Sequence, residues 1–110
     1  MPVKYAYLYC LSSVAIANLL KIGIVNVAVN DTRRLGEILT EVMGQTWQFE
    51  MAKFIHHPQN LGETLQNILK LHYPVVERNI FNMSLEDANM YFDLIRGESV
   101  QLAHCKRLGY

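Results

Sequence analysis

Alternation of residue types marks the beginning of the chain as β-structure. Residues of one parity are apolar or aromatic: Val3, Tyr5, Tyr7, Tyr9 and Leu11. Aromatic and β-branched residues in this alternation are typical of a pleated strand, so we predict a first strand over residues 3–11. The β-branched run over residues 19–25 predicts a second strand that pairs antiparallel with the first. Residues 14–17 between them fit either a turn or a short helical segment.

A helix and a third strand follow the second strand. Asp31 is a natural N-cap, and apolar residues then recur at helical spacing until Gly44. We predict a helix over residues 32–43. From Trp47 onward the residue types alternate again, which predicts a third strand that ends near His56.

Two further helices are predicted in the second half of the chain. An apolar stripe predicts a helix over residues 58–72, with Pro58 in its first turn and its end before Pro74. Ser84 and Asp87 resemble a capping box, and the stripe that follows predicts a third helix that is ended by Gly97.

The order of these elements predicts the fold class. Two strands, a helix, a strand and two helices, with a short extended piece near Ile80, are the pattern of an α+β protein. We expect a small, mainly antiparallel three-stranded sheet packed with about three helices. No linker or repeat divides residues 1–97, which we interpret as one domain. Residues 98–110 show no clear periodicity and fit a C-terminal tail or an interface segment.

Composition limits the class of protein. The chain has 110 residues, 51% of them hydrophobic, which is enough for one hydrophobic core and excludes disorder. Ten basic and ten acidic side chains give a formal net charge of zero. Because non-specific nucleic-acid binding depends on an excess of Lys and Arg, any such binding must come from a local patch.

The cysteines and the apolar stretches of the sequence indicate in which cellular compartment the protein is expected. Only Cys10 and Cys105 occur, far apart in the sequence, so neither a zinc cluster nor a disulfide framework is expected. The apolar stretch over residues 14–29 is interrupted by polar residues, and the N-terminus lacks the pattern of a signal peptide. We expect an intracellular protein in a reducing compartment, cytoplasmic or nuclear, with no membrane partner.

Three short motifs in order resemble the GIY-YIG endonuclease superfamily. They are Tyr-Leu-Tyr-Cys-Leu-Ser at residues 7–12, Leu-Lys-Ile-Gly at residues 20–23, and Arg34 with Leu35 at the start of the first helix. The sequence is most similar to the compact branch, common in phages and large DNA viruses, whose second motif reads KIG. The resemblance covers about residues 5–95 and implies a GIY-YIG-like fold, a virus-encoded protein and phosphodiester chemistry on DNA.

The resemblance implies roles for four residues. Tyr9 would lie near the attacking water and Arg34 near the scissile phosphate, while Tyr7, Lys21 and Arg34 would contact nucleic acid. Each has a structural alternative. The tyrosines fit an aromatic core face, Lys21 fits a packed stem with an exposed ammonium, and Arg34 fits a solvated helix end. A surface ion pair is expected between Arg33 and Glu37 at i, i+4.

The metal-binding glutamate of the family has no clear counterpart in this sequence. If Leu61 and Leu65 are matched to the apolar stripe of the family, the resemblance places Gly62 at the glutamate position and Gln66 where the branch often has histidine. Glu63 is one residue further along, which on a helix is a rotation of about 100°. Glu63 would be a metal ligand only after a local shift in register. We therefore expect a degenerate nuclease that needs no cofactor. If the protein is active, we expect Mg²⁺ or Mn²⁺ as its cofactor.

Three functions remain open at this stage. The leading hypothesis is a nucleic-acid-associated domain that binds DNA phosphate through a cleft formed by Tyr9, Lys21 and Arg34. The second is an active, divalent-metal-dependent DNA endonuclease. The third is a protein-interaction or structural module without catalysis, which the zero net charge and the apolar composition favour and which could self-associate into a homo-oligomer.

Overall fold

The structure, a computed structural model, describes residues 5–100. In chain order its elements are β1 Tyr5–Ser13, β2 Leu19–Val27, α1 Thr32–Met43, β3 Trp47–His56, α2 Leu61–His72, β4 Val75–Glu77, β5 Ile80–Asn82, α3 Leu85–Leu94 and β6 Glu98–Ser99. The α+β class predicted from the sequence is confirmed. None of the three helices in these residues has the length and apolar character needed to cross a membrane.

The described strands form one antiparallel sheet in the order β4-β5-β2-β1-β3-β6. The three long central strands were predicted, but the expected three-stranded sheet was wrong because β4, β5 and β6 extend it to six. These added strands are only two or three residues long, which is too short to show a period of two.

Helices cover both faces of the sheet because successive side chains of a strand point to opposite sides. On the first face, here called the α1 face, Tyr7, Tyr9 and Leu11 of β1 pack against Leu35 and Leu39 of α1. The opposite face is the α2/α3 face. There the buried side chains come from the other parity of the strands and from both later helices: Leu8, Cys10, Ile22, Leu65, Leu69, Ala88 and Phe92.

The helix ends follow local capping chemistry. The Asp31 carboxylate accepts the backbone N–H of Arg34 at 3.0 Å, and the Ser84 hydroxyl accepts that of Asp87 at 3.1 Å. The predicted start of α2 at residue 58 was wrong, since α2 begins at Leu61. His57 and Gln59 have positive φ values of 52° and 21°, so the segment around Pro58 is a turn that no α-helix can include.

The start of the predicted C-terminal segment belongs to the sheet. Glu98 and Ser99 pair with Phe54 and Lys53 of β3. The backbone N–H of Val100 donates to the carbonyl of Ala52 at 3.0 Å, and its side chain packs in the core of the α1 face. The rest of that segment, residues 101–110, lies outside the described residues.

Candidate nucleic-acid interface

Strand β2 has an open edge over half its length. Strand β5 pairs with β2 only at residues 19–21, and one further backbone bond joins the Ile22 N–H to the carbonyl of Asn79 at 2.9 Å. Because main-chain groups of a strand point alternately to its two neighbours, Ile24 and Asn26 direct their N–H and C=O groups to the same outer side as Ile22. No described strand pairs with them there.

A groove of about 530 Å³ runs beside this open edge on the α2/α3 face. We call it the edge groove. One wall is the strand at Ile22, Gly23 and Ile24. The other wall combines α2 with the turn between β4 and β5, and its polar residues are Glu63, Gln66, Asn67, Lys70, Arg78 and Asn79. A second cavity of about 620 Å³ shares Ile24, Gly62 and Glu63 and extends towards Asn26 and the start of α2.

The edge groove carries more positive than negative charge. Gly62, Gln66 and Lys70 follow one another at i, i+4 spacing, so they lie along the side of α2 that faces β2. The β4–β5 turn adds Arg78. With two cations and the single carboxylate of Glu63, the lining suits an anion such as a phosphate.

Gln66 closes the inner end of the open edge. Its Nε2 donates to the carbonyl oxygen of Ile22 at 3.0 Å, which is the bond that the next residue of a neighbouring strand would otherwise make. Its Oε1 is buried and has no partner among the described residues. The Gln66 amide therefore takes the place of strand β5 at the point where β5 turns away.

Tyr9 approaches the same strand from the α1 face. It is the register partner of Gly23, and a Cβ atom added to Gly23 would lie only 2.6 Å from Tyr9 Cζ. The side chain is 6% exposed, and burial raises the pKa of its hydroxyl. That hydroxyl has no hydrogen bond to the described residues and lies over Gly23, on the other face of the strand that borders the edge groove.

Lys21 lies near Tyr9 on the α1 face. It precedes Gly23 by two residues on β2, so its side chain and that of Tyr9 are diagonal neighbours across the strand pair. The ammonium lies 5.9 Å from the ring centroid of Trp47, within the range of a cation–π contact. The side chain is half-buried, as expected for a packed stem with a polar tip.

Tyr7 lies entirely in the core. Its side chain is fully buried, and its hydroxyl donates to Asn30 Oδ1 at 2.5 Å. Burial, the largest contribution, raises its pKa. Because the hydroxyl is already paired and the ring packs against Phe54, Tyr7 offers no free group to a ligand in this structure.

Arg34 lies on the helix that covers the α1 face, but near the opposite end of that face from Lys21. The Tyr7–Asn30 bond places the start of α1 beside Tyr7, whereas Lys21 pairs with Leu11, four residues or about 13 Å further along β1. The Arg34 guanidinium is exposed and pairs with Glu37 at 3.2 Å. The surface ion pair expected for Arg33 is thus made by Arg34. Within residues 5–100, no hydrogen bond or ion pair joins Tyr9, Lys21 and Arg34.

Glu63 lies on the opposite side of the sheet from Lys21 and Arg34. The position of α2 that faces the strand is Gly62, where an added Cβ would lie 2.9 Å from Ile24 Cγ2, while Glu63 is exposed one position away. Residues 5–100 contain no group of three or more His, Cys, Asp or Glu arranged to hold a metal ion. Mg²⁺ requires near-ideal octahedral oxygen coordination, and a lone rotated carboxylate beside Lys70 and Arg78 does not fit it.

Sequence reasoning missed Lys70, and for Arg78 it left open an ion pair with Glu77 or a contribution to the cleft. For Lys70 a signal was present, because it follows Gly62 and Gln66 at helical spacing on the side of α2 that the family resemblance singles out. Arg78 had no such signal, since its placement depends on the hairpin between β4 and β5. Comparisons with family models, with curated proteins and with solved structures find no match to this chain.

Proposed function

We propose that this chain is a nucleic-acid-binding domain of GIY-YIG-like type that holds DNA phosphate in the edge groove and does not cleave it. The observation that carries the proposal is the convergence of Lys70 and Arg78, from two separate elements, on the open edge of β2. A strand edge with free N–H groups flanked by two cations provides the donors that a phosphate oxygen accepts.

Charge explains how a neutral chain can bind a polyanion. Each phosphate neutralised by Lys or Arg releases condensed counterions from the DNA, and this gain depends on the local cations that touch the backbone. Lys70 and Arg78 supply the primary contacts in the groove. Lys21 and Arg34 lie on the α1 face, so we assign them secondary contacts with nucleic acid that passes around the strand edge.

Binding without cleavage follows from the composition of the groove. Gly62 leaves the strand-facing position of α2 without a carboxylate, and Glu63 is rotated out of it. Tyr9 lies on the α1 face, 6% exposed and on the other side of β2 from the groove, so it takes no part in holding the phosphate there. The order of the sequence motifs, which resembles a DNA-cleaving superfamily, supports DNA as the polymer.

Fluorescence anisotropy with labelled duplex and single-stranded DNA tests this proposal. The titration is repeated at two salt concentrations, with Mg²⁺ or with a chelator. We expect binding that weakens steeply with salt and does not require the metal. Lys70→Ala and Arg78→Ala should each weaken binding and reduce the salt slope by about 1.

Arg33→Ala is the matched control, because Arg33 is an exposed cation of α1 outside the groove. It should leave both affinity and slope unchanged. Absence of salt-dependent binding by the unmodified protein would refute the function. Full affinity in Lys70→Ala and Arg78→Ala, with loss in Lys21→Ala and Arg34→Ala, would move the interface to the α1 face.

A further inference from the structure

An exposed apolar seam runs along the outer surface of the two helices that cover the α2/α3 face. Helices α2 and α3 lie side by side and antiparallel. Leu61 at the start of α2 shares a small cavity with Leu94 at the end of α3, and Tyr73 just after α2 contacts Tyr91 and donates to Asp87 at 3.0 Å. Four large apolar side chains stand exposed on these helices: Ile68 39%, Leu71 82%, Met90 56% and Leu94 78%.

Helical periodicity places these four side chains beside one another. Ile68 follows Leu61 by two turns, so it points to the α3 side of α2, away from the edge groove. Leu94 follows Asp87 by two turns and therefore points to the α2 side of α3. On α2, Leu71 neighbours Ile68 three residues later. On α3, Met90 neighbours Leu94 four residues earlier. We call these four residues the helix seam.

Acidic side chains border the helix seam. Glu86 and Asp93 lie four residues before and three residues after Met90 on α3, so they flank it on the surface. Neither forms an ion pair with another residue in the range 5–100. Helix α3 contains no Lys or Arg. A cover for the seam must therefore be apolar on one side and basic at its border.

The chain itself contains a segment of this character immediately after Val100. Residues 101–110 read Gln-Leu-Ala-His-Cys-Lys-Arg-Leu-Gly-Tyr, with Lys106 and Arg107, several apolar residues and no acidic side chain. This charge complements that of α3. The segment also has the required reach, because ten residues extend at most about 33 Å and α3 is about 15 Å long.

Strand β6, which the segment follows, is linked to the end of α3 through Lys53. Ser99 is the register partner of Lys53. The ammonium of Lys53 donates to the carbonyl of Ile95 at 2.7 Å and also to that of Phe92, so a single side chain separates β6 from the last turn of α3. Leu94, the nearest member of the helix seam, belongs to that turn.

We propose that residues 101–110 cover the helix seam of their own chain, with their apolar side chains on Met90 and Leu94 and with Lys106 and Arg107 beside Glu86 and Asp93. This closes the exposed side of the two-helix layer. The proposal is independent of the nucleic-acid function, because the seam and the edge groove lie on different sides of α2.

Cys105 makes the test possible in the full-length chain. A nitroxide spin label attached to Cys105 reports which amides lie near the segment. Cys10 does not compete for the reagent, because it is fully buried and burial raises the pKa of its thiol to about 12. The Cys105→Ala variant, which should take up no label in the native state, verifies this selectivity by mass spectrometry.

The measurement is the loss of amide NMR intensity in ¹⁵N-labelled, spin-labelled protein diluted into an excess of unlabelled chain. We expect Met90, Leu94 and Leu71 to lose most of their intensity. Losses confined to the edge groove or the α1 face, or no selective loss, would overturn the proposal. The control is a mixture of two preparations: spin-labelled chain without ¹⁵N, and ¹⁵N-labelled chain without a spin label. If the same amides lose as much intensity in this mixture, the segment that covers the seam comes from a second copy, and the proposal is overturned.

Charge variants provide a second readout in the same spin-labelled chain. Lys106→Glu with Arg107→Glu should reduce the losses at Met90 and Leu94 at least twofold, and the further change of Glu86→Lys with Asp93→Lys should restore them. Arg33→Glu on α1, the matched control, should change nothing. Unchanged losses in the double charge reversal would refute the assigned ionic contacts.

Discussion

The aromatic ring of Tyr9 lies across the backbone of Gly23 on the neighbouring strand, in space that any side chain at position 23 would occupy. Gly23→Ala should therefore destabilise the protein by about 1–3 kcal/mol, because the added methyl group overpacks a buried contact. Urea unfolding, compared at equal m-value, measures the loss.

The Tyr9→Leu background separates this steric contact from the intrinsic effect of alanine. A leucine side chain is shorter and leaves the space over Gly23 open, so Gly23→Ala should there be neutral or slightly stabilising, as alanine is in a strand. An equal cost of Gly23→Ala in both backgrounds would show that the ring is not the cause.

Glu63→Gln should strengthen DNA binding about two- to fourfold. Among the described residues that line the edge groove, Glu63 carries the only negative charge, and its removal eliminates repulsion of the phosphates without changing the side-chain volume. Glu86→Gln on α3 is the control and should have no effect. If Glu63 were a metal ligand, the same substitution would abolish a Mg²⁺-dependent component of binding, and anisotropy with and without the metal distinguishes the two results.

Cys10 should make the fold sensitive to alkali. Burial raises the pKa of its thiol from 9.0 to about 12 in the folded chain. Above pH 9 the unfolded chain loses this proton while the folded chain keeps it, so the free energy of unfolding falls as pH rises, with a limiting slope of about 1.4 kcal/mol per pH unit from this group. The contribution is fully present below pH 9 and is lost as pH approaches 12.

Denaturant titrations of the native protein and of Cys10→Ala at several pH values between 8 and 10 measure this slope. Tyr7 and Tyr9, whose pKa values are also raised by burial, contribute mainly above pH 10. The variant should lose less stability over this interval than the native protein. Parallel curves for the two proteins would contradict the assignment to Cys10.

Lys53→Met should destabilise the end of α3 by about 1–3 kcal/mol. The ammonium of Lys53 satisfies two carbonyl oxygens at the C-terminal end of that helix, those of Phe92 and Ile95, and methionine retains the stem while removing the donors. Hydrogen exchange should accelerate in the last turn of α3. Lys70→Met, at an exposed position of α2, is the control and should change stability by less than about 0.5 kcal/mol.

The long elements could be predicted from sequence because each repeats a period several times. The alternation in β1 and the stripe of α1 bounded by Asp31 and Gly44 are examples, and both were placed within two residues of their observed ends. The short extended piece predicted near Ile80 corresponds to β5, but β4 and β6 could not be predicted, since two or three residues contain no repeat. The start of α2 was misplaced because Pro58 suits a helix start but also suits the turn that the structure shows.

The candidate site was predictable only where one element determines it. Parity placed Tyr9 with Tyr7, and Lys21 with Gly23, on common faces. The contact between Tyr9 and Gly23 depends on the register of two strands, which the residues between β1 and β2 determine and no local pattern reveals. Arg78 joins Lys70 only because a hairpin returns the chain to β2, which is a property of the tertiary structure.

The hydrogen bond between the Gln66 side chain and the Ile22 carbonyl affects how much of the outer edge of β2 stays unpaired. The side chain of Gln66, rather than a length of backbone, occupies the boundary between the part of β2 that pairs with β5 and the part whose outer edge is unpaired. Extending β5 backwards from Ile80 while removing the Gln66 amide would let β5 continue along Ile24 and Asn26. The accessible length of the open edge of β2 therefore depends on the length of β5 and on the Gln66 side chain.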